Sequence, residues 1–79
     1  MIPAEALQEV KKELEIIFGK GLAGLIMINA RKKANPPAVM KAEHFIGYVD
    51  EIGSDERIVG MIGAAGTKQK LANWKKLVD

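Results

Sequence analysis

The chain contains no cysteine. Neither a disulfide nor a thiolate metal site can reinforce the core it builds. Histidine is limited to His44 and serine to Ser54. Acyl transfer by a nucleophile needs a neighbouring base and an oxyanion site, and the sequence offers no such constellation. A metal site would need more ligands than His44 and Glu51 unless subunits shared it. Aromatic residues make up only 5% of the chain and none flanks the basic run Arg31-Lys32-Lys33, so stacking on single-stranded nucleic acid has no platform. Long apolar runs are absent as well. Leu22 to Ile28 and Ile58 to Gly66 fall far short of the ~18 to 20 residues that span a bilayer. The opening MIPAEAL has neither the basic start nor the apolar stretch of a signal peptide. These absences lead us to expect a cytoplasmic protein with no membrane partner, no cofactor and no metal.

What is present is apolar. Of 79 residues 48% are hydrophobic, and the mean hydropathy is +0.00. A chain of this length buries only about 60 to 65% of its unfolded surface. A single domain over residues 1–79 should therefore have surplus apolar surface, and a homodimer is the simplest way to cover it. The net charge is +2 with a sequence pI near 9.0. It falls in blocks: acidic over residues 1–18, basic over 19–35, acidic over 36–54, weakly acidic over 55–66 and basic over 67–79. Basic blocks can form a phosphate-binding patch, or simply complement the carbonyl ends of helices.

Periodicity predicts helices. Leu7, Val10, Leu14 and Ile17 mark one face of a helix from Pro3 to Phe18, started by Pro3 and stopped by Gly19. Leu22 to Ala34 reads as a buried helix ending at Arg31, Lys32 and Lys33. A short buried strand around Leu25 to Ile28 is the alternative. Pro36 and Pro37 are expected to open a third helix carrying Val39, Ala42, Phe45, Ile46, Val49 and Ile52 and ending at Gly53. Ser54 and Asp55 can cap a fourth segment, Glu56 to Ala65. Gly60 with Ala64, or Gly63 with Thr67, then forms a small-residue strip for close helix packing, with a strand over RIVGMIG as the alternative. A fifth segment runs from Ala64 to Val78. The expected fold class is all-α, a small dimeric bundle of four to five short helices. Val39, Phe45, Ile46, Val49, Met61, Ile62, Leu71 and Trp74 should form its core or seam.

Three motifs bear on function. Gly19-Lys20-Gly21-Leu22-Ala23-Gly24 matches G-x-G-x-x-G, but a dinucleotide site needs a strand before it. A helical pattern precedes Gly19, so a joint between helices is the better reading. His44, Tyr48 and Glu51 share a helical face and form the one arrangement able to shuttle a proton. In the fifth segment Thr67 stands as a cap, with Leu71 and Trp74 inward and Lys68, Gln69, Ala72, Lys75 and Lys76 outward. Glutamine and lysine on such a face can reach base edges and phosphates in a major groove.

Ala65 to Trp74 resembles the turn and recognition helix of Cro/repressor-type regulators. It has a small residue, a capping threonine, polar contact positions and an aliphatic-x-Asn-Trp ending. The resemblance covers about ten of 79 residues and departs at the turn, where Ala65 replaces the usual glycine and Gly66 falls one position late. It implies duplex DNA as a candidate partner, read by Lys68, Gln69, Lys75 and Lys76 with Arg31, Lys32 and Lys33 on the backbone. The favoured expectation remains a non-enzymatic helical interaction module that forms a homodimer.

Overall fold

Four helices and no strand make up the fold, which a computed structural model describes over residues 1–79. Helix α1 spans Pro3–Phe18, α2 Lys20–Ala34, α3 Ala42–Gly53 and α4 Glu56–Lys75, and a 3₁₀ turn, Lys76–Val78, closes the chain. Both strand alternatives are thereby settled in favour of helix. Helices α1, α2 and α3 pack in sequence order. The second half of α4 returns over α3, and the closing turn reaches α1.

Pro3 sits at the start of α1, where its missing N–H costs nothing, and Glu5 occupies the electropositive first turn. A single residue, Gly19, separates α1 from α2. Its φ of 83° and ψ of 163° lie in a region that only glycine enters without strain. The G-x-G-x-x-G stretch is thus a helix–helix joint. Asn35 ends α2 in the left-handed conformation, at φ 47°, which asparagine tolerates better than most residues.

Pro36 and Pro37 do not open α3. The chain stays irregular to Lys41, and the helix begins at Ala42. Each proline keeps the residue before it, Asn35 or Pro36, out of the right-handed α region, so Pro36 cannot serve as a first helical residue. Val39 is consequently left 84% exposed outside the core, contrary to the sequence expectation. At the next junction Asp55 caps α4 by accepting the Arg57 backbone N–H at 2.9 Å. Ser54 instead donates back to the Glu51 carbonyl at 2.8 Å.

Helix α4 changes direction at Gly63, whose φ of 78° and ψ of 166° repeat the conformation of Gly19. The fourth and fifth expected segments therefore meet at one glycine. Thr67 is not the cap of the second. Its hydroxyl donates to the Gly63 carbonyl at 2.7 Å, and the residue is buried. A capping side chain would accept from an N–H; this one donates to a carbonyl already inside the first turn.

The core contains Ala6, Val10, Leu14, Ala23, Ile26, Met27, Ala30, Phe45, Tyr48, Val49, Ile52, Ile58 and Trp74. Phe45, Val49 and Trp74 match expectation, while Ile46, Ile62 and Leu71 pack partly buried against it. Met61 does not belong to it and is 58% exposed. The expected close approach at Gly60 and Gly63 is also missing within the chain: a Cβ at either would meet nothing within 4 Å. The glycine that a neighbour does crowd is Gly53, against the side chain of Leu71. The radius of gyration is 11.4 Å, against about 11.6 Å for a compact domain of this length. The accessible surface of 4945 Å² is close to the ~4,700 Å² typical of a folded monomer of this mass. The chain therefore closes a core without a partner, and self-association has to be argued from where its exposed apolar side chains lie.

Candidate functional site

The basic residues proposed to contact nucleic acid do not form one surface. Arg31, Lys32 and Lys33 occupy the last turn of α2 and are exposed. Arg31 lines a groove with Tyr48, and its charge acts on that phenol. Lys75, on α4, instead pairs with Asp50 at 2.6 Å. Tyr48 and Asp50 stand roughly 200° apart around the α3 axis. Arg31 and Lys75 thus lie on opposite sides of α3, while Lys32 and Lys33 line a groove at the start of α4. Lys68, Gln69 and Lys76 are exposed, which leaves them as the free polar residues of the expected outward face.

Glu13, which lies outside the apolar stripe of α1, organises α4. Glu13 Oε2 accepts from Lys70 Nζ at 2.8 Å and from Trp74 Nε1 at 3.0 Å. Burial raises the Glu13 pKa and is the largest single effect, but the two hydrogen bonds and the Lys70 charge together outweigh it, so the carboxyl titrates below its ordinary range. The indole N–H of the only tryptophan is satisfied in this way, which permits its burial. Glu13 lies 57 residues from Lys70 and 61 from Trp74. No local spacing rule joins them.

The histidine relay does not form. His44 Nδ1 accepts the Lys41 backbone N–H at 2.9 Å, closing the first turn of α3. Its Nε2 lies 3.8 Å from Glu43. Tyr48 turns away and donates to the Met27 carbonyl at 2.9 Å. Burial pushes the Tyr48 phenol up, and Arg31 partly offsets this. No three His, Cys, Asp or Glu side chains gather as a metal-holding group. No helix is long and apolar enough to cross a membrane.

Four surface depressions differ in chemistry. The largest, about 570 Å³, lies between the end of α2 and the start of α4 and has no hydrophobic lining residue. Its Lys32 and Lys33 face Asp55 and Glu56, and Asp55 is already held by Arg57 through two contacts of 3.0 Å. The Arg57 hydrogen bond is the main reason that the Asp55 pKa is lowered. Arg57 thus answers Asp55, and Lys32 and Lys33 share the groove with the other acid, Glu56. A second, about 290 Å³, lies along α4 between Ile62 and Asn73. The third and fourth, about 330 and 320 Å³, adjoin at Arg31 and Tyr48.

One further surface is apolar. Across residues 56–62 only Ile58 is buried. Val59 and Met61 are 40% and 58% exposed and flank Gly60, which projects opposite Ile58 by helical geometry. Comparison with protein-family models, with curated proteins and with solved structures found no match for this chain.

Proposed function

We propose that this chain is a non-enzymatic helical interaction module that works as a homodimer paired through the first half of α4. The observation that carries the reading is the face centred on Gly60. Gly60 leaves a gap in the helix surface there, with no atom of the chain within 4 Å of where a Cβ would stand, and the exposed side chains of Val59 and Met61 project to either side of it. A small residue lets a second helix approach closely, and apolar side chains at the edges of the contact are rewarded by burial. Paired with its own copy across a two-fold axis, such a face would bring Gly60 against Gly60.

Gly60→Leu tests the reading directly. Within the chain a Cβ at residue 60 meets nothing within 4 Å and the position is exposed, so the protomer should fold as before. Across a dimer a leucine side chain would hold the two helices apart. Size-exclusion chromatography with light scattering at tens of micromolar should give twice 8.6 kDa for the unaltered chain and 8.6 kDa for Gly60→Leu, with equal helicity by circular dichroism. A monomeric unaltered chain would overturn the proposal.

A second reading, duplex-DNA binding by α4, is supported by the exposure of Lys68, Gln69 and Lys76. It has to accommodate the engagement of Lys75 by Asp50 and of Lys70 by Glu13. Fluorescence anisotropy with duplex DNA separates the two readings. Binding that weakens steeply as salt rises supports this second reading, in proportion to the phosphates neutralised. Absence of binding at low salt removes it.

A further inference from the structure

The depressions meeting at Tyr48 combine features that the other grooves do not share. One is lined by Leu7, Pro36, Pro37 and Met40, with Arg31 and Tyr48 at its edge. The adjoining one brings Lys11 and Arg31 together above Met27 and Ile28. No carboxylate lines either depression. Neither Lys11 nor Arg31 takes part in any of the salt bridges of the fold. By contrast, the groove at the start of α4 supplies its own acids, and Lys70 beside Ile62 is held by Glu13.

The floor is fixed. Tyr48 is almost wholly buried, and its hydroxyl is committed to the Met27 carbonyl, so the ring cannot swing out to fill the space. The two prolines make the wall beside it stiff. Leu7 and Lys11 are one helical turn apart on the same side of α1, and Arg31 belongs to both depressions. The groove thus has an order along its length: an apolar end at Leu7 and Met40, and a cationic end at Lys11 and Arg31.

We propose that this groove binds amphiphilic carboxylates, with the head group held between Arg31 and Lys11 and the aliphatic or aromatic tail laid over Tyr48 against Leu7, Pro36, Pro37 and Met40. Arginine can grip a carboxylate with two parallel hydrogen bonds, and the lysine adds a second positive charge. Each depression is of a size used for small ligands, about 300 Å³ or more. The unmet charge selects the sign of the ligand, and the apolar end rejects small hydrophilic anions. This site lies on α1, α2, α3 and the connection over residues 35–41, apart from the Gly60 face of α4, so it stands whether or not the chain dimerises.

Octanoate is a suitable probe, with octylammonium and acetate as controls, followed by amide chemical shifts in a ¹⁵N-labelled sample. Octanoate should cause saturable shifts at Leu7, Met40 and Tyr48 with a Kd in the low millimolar range or tighter, roughly 1 mM. Octylammonium and acetate should leave those amides unmoved. Arg31→Gln and Lys11→Gln are surface changes that preserve the fold, and each should weaken octanoate roughly tenfold, the loss of one charge-assisted contact. Equal binding of octylammonium, octanoate shifts confined to Val59 and Met61, or an unchanged Kd in the Arg31→Gln, Lys11→Gln double variant would each overturn the proposal. So would the absence of saturable shifts at about 10 mM octanoate.

Discussion

Replacing Gly63 by alanine should destabilise this protein, whereas the same change at Gly47 should stabilise it. Both glycines lie within helices by sequence, and a Cβ at either meets nothing within 4 Å. Sterics therefore cannot separate them, and only backbone conformation can. Gly47 is a regular residue of α3, where alanine gains about 0.5–1 kcal/mol by restricting the unfolded chain and favouring helix. Gly63 holds φ 78° and ψ 166°, a region that costs a residue with a Cβ about 1–3 kcal/mol.

The alternative, straightening α4, is no escape. It would swing residues 64–75 off α1 and α3, break both contacts to Glu13 and expose Trp74. Losing a buried tryptophan from its site costs about 3–5 kcal/mol, more than the strain, so the bend should survive the substitution. The two variants should differ by about 1.5–4 kcal/mol. Against a total of about 4–12 kcal/mol for a domain of this size, both should remain folded. Urea titration followed by Trp74 fluorescence reads the difference, and thermal melts should separate by about 4–8 °C per kcal/mol. If Gly63→Ala raised the midpoint as Gly47→Ala does, α4 would be a continuous helix and the account of its bend would be wrong.

Glu13→Gln should lower stability at neutral pH and leave it unchanged at the acid limit. The Glu13 carboxyl titrates below its ordinary 4.5 in the folded chain, so its contribution is present above that value and disappears as pH falls through the depressed one. The side chain is 43% exposed, so the effect should be about 1 kcal/mol or less, and unfolding midpoints of the two proteins should converge as the acid limit is approached. Trp74→Phe retains a ring in the core but removes the donor to Glu13; chemical denaturation followed by circular dichroism should register a loss of about 1–2 kcal/mol. Tyr48→Phe deletes the bond to the Met27 carbonyl and should cost about 0.5–1.5 kcal/mol, with the amide resonances of α2 near Met27 shifting most. A Tyr48→Phe variant as stable as the parent would mean that the hydroxyl does not pin the groove floor.

Most of the helical architecture is legible along the chain. The α1 stripe of Val10 and Leu14, the stop at Gly19 and the cap at Asp55 depend on neighbours within one or two turns. Such neighbours have fixed relative positions in any helix. The same logic failed where the outcome depended on competing local choices. Pro36 and Pro37 are compatible with opening a helix, yet the chain stays irregular to Lys41 and leaves Val39 in solvent. Gly60, Gly63 and Thr67 were readable as a small-residue strip. One of the three became a bend, another a buried donor to its carbonyl, and Gly60 an exposed helical position that nothing in the chain approaches. The candidate nucleic-acid surface was less legible still, because helical spacing places Lys75 on a face without saying that Asp50 stands opposite it.

The class of this protein can be read along the chain: helices, their approximate limits, one central apolar stripe and the lack of any cysteine thiolate. These follow from composition and from interactions over a few residues. Only the tertiary structure decided which glycines bend the chain, that Glu13 secures Lys70 and Trp74, that Tyr48 faces Met27, and that Arg31 and Lys11 remain unpaired beside an apolar groove. Those outcomes join residues tens of positions apart. Their geometry is set by how the helices pack, which the 3.6-residue period does not encode.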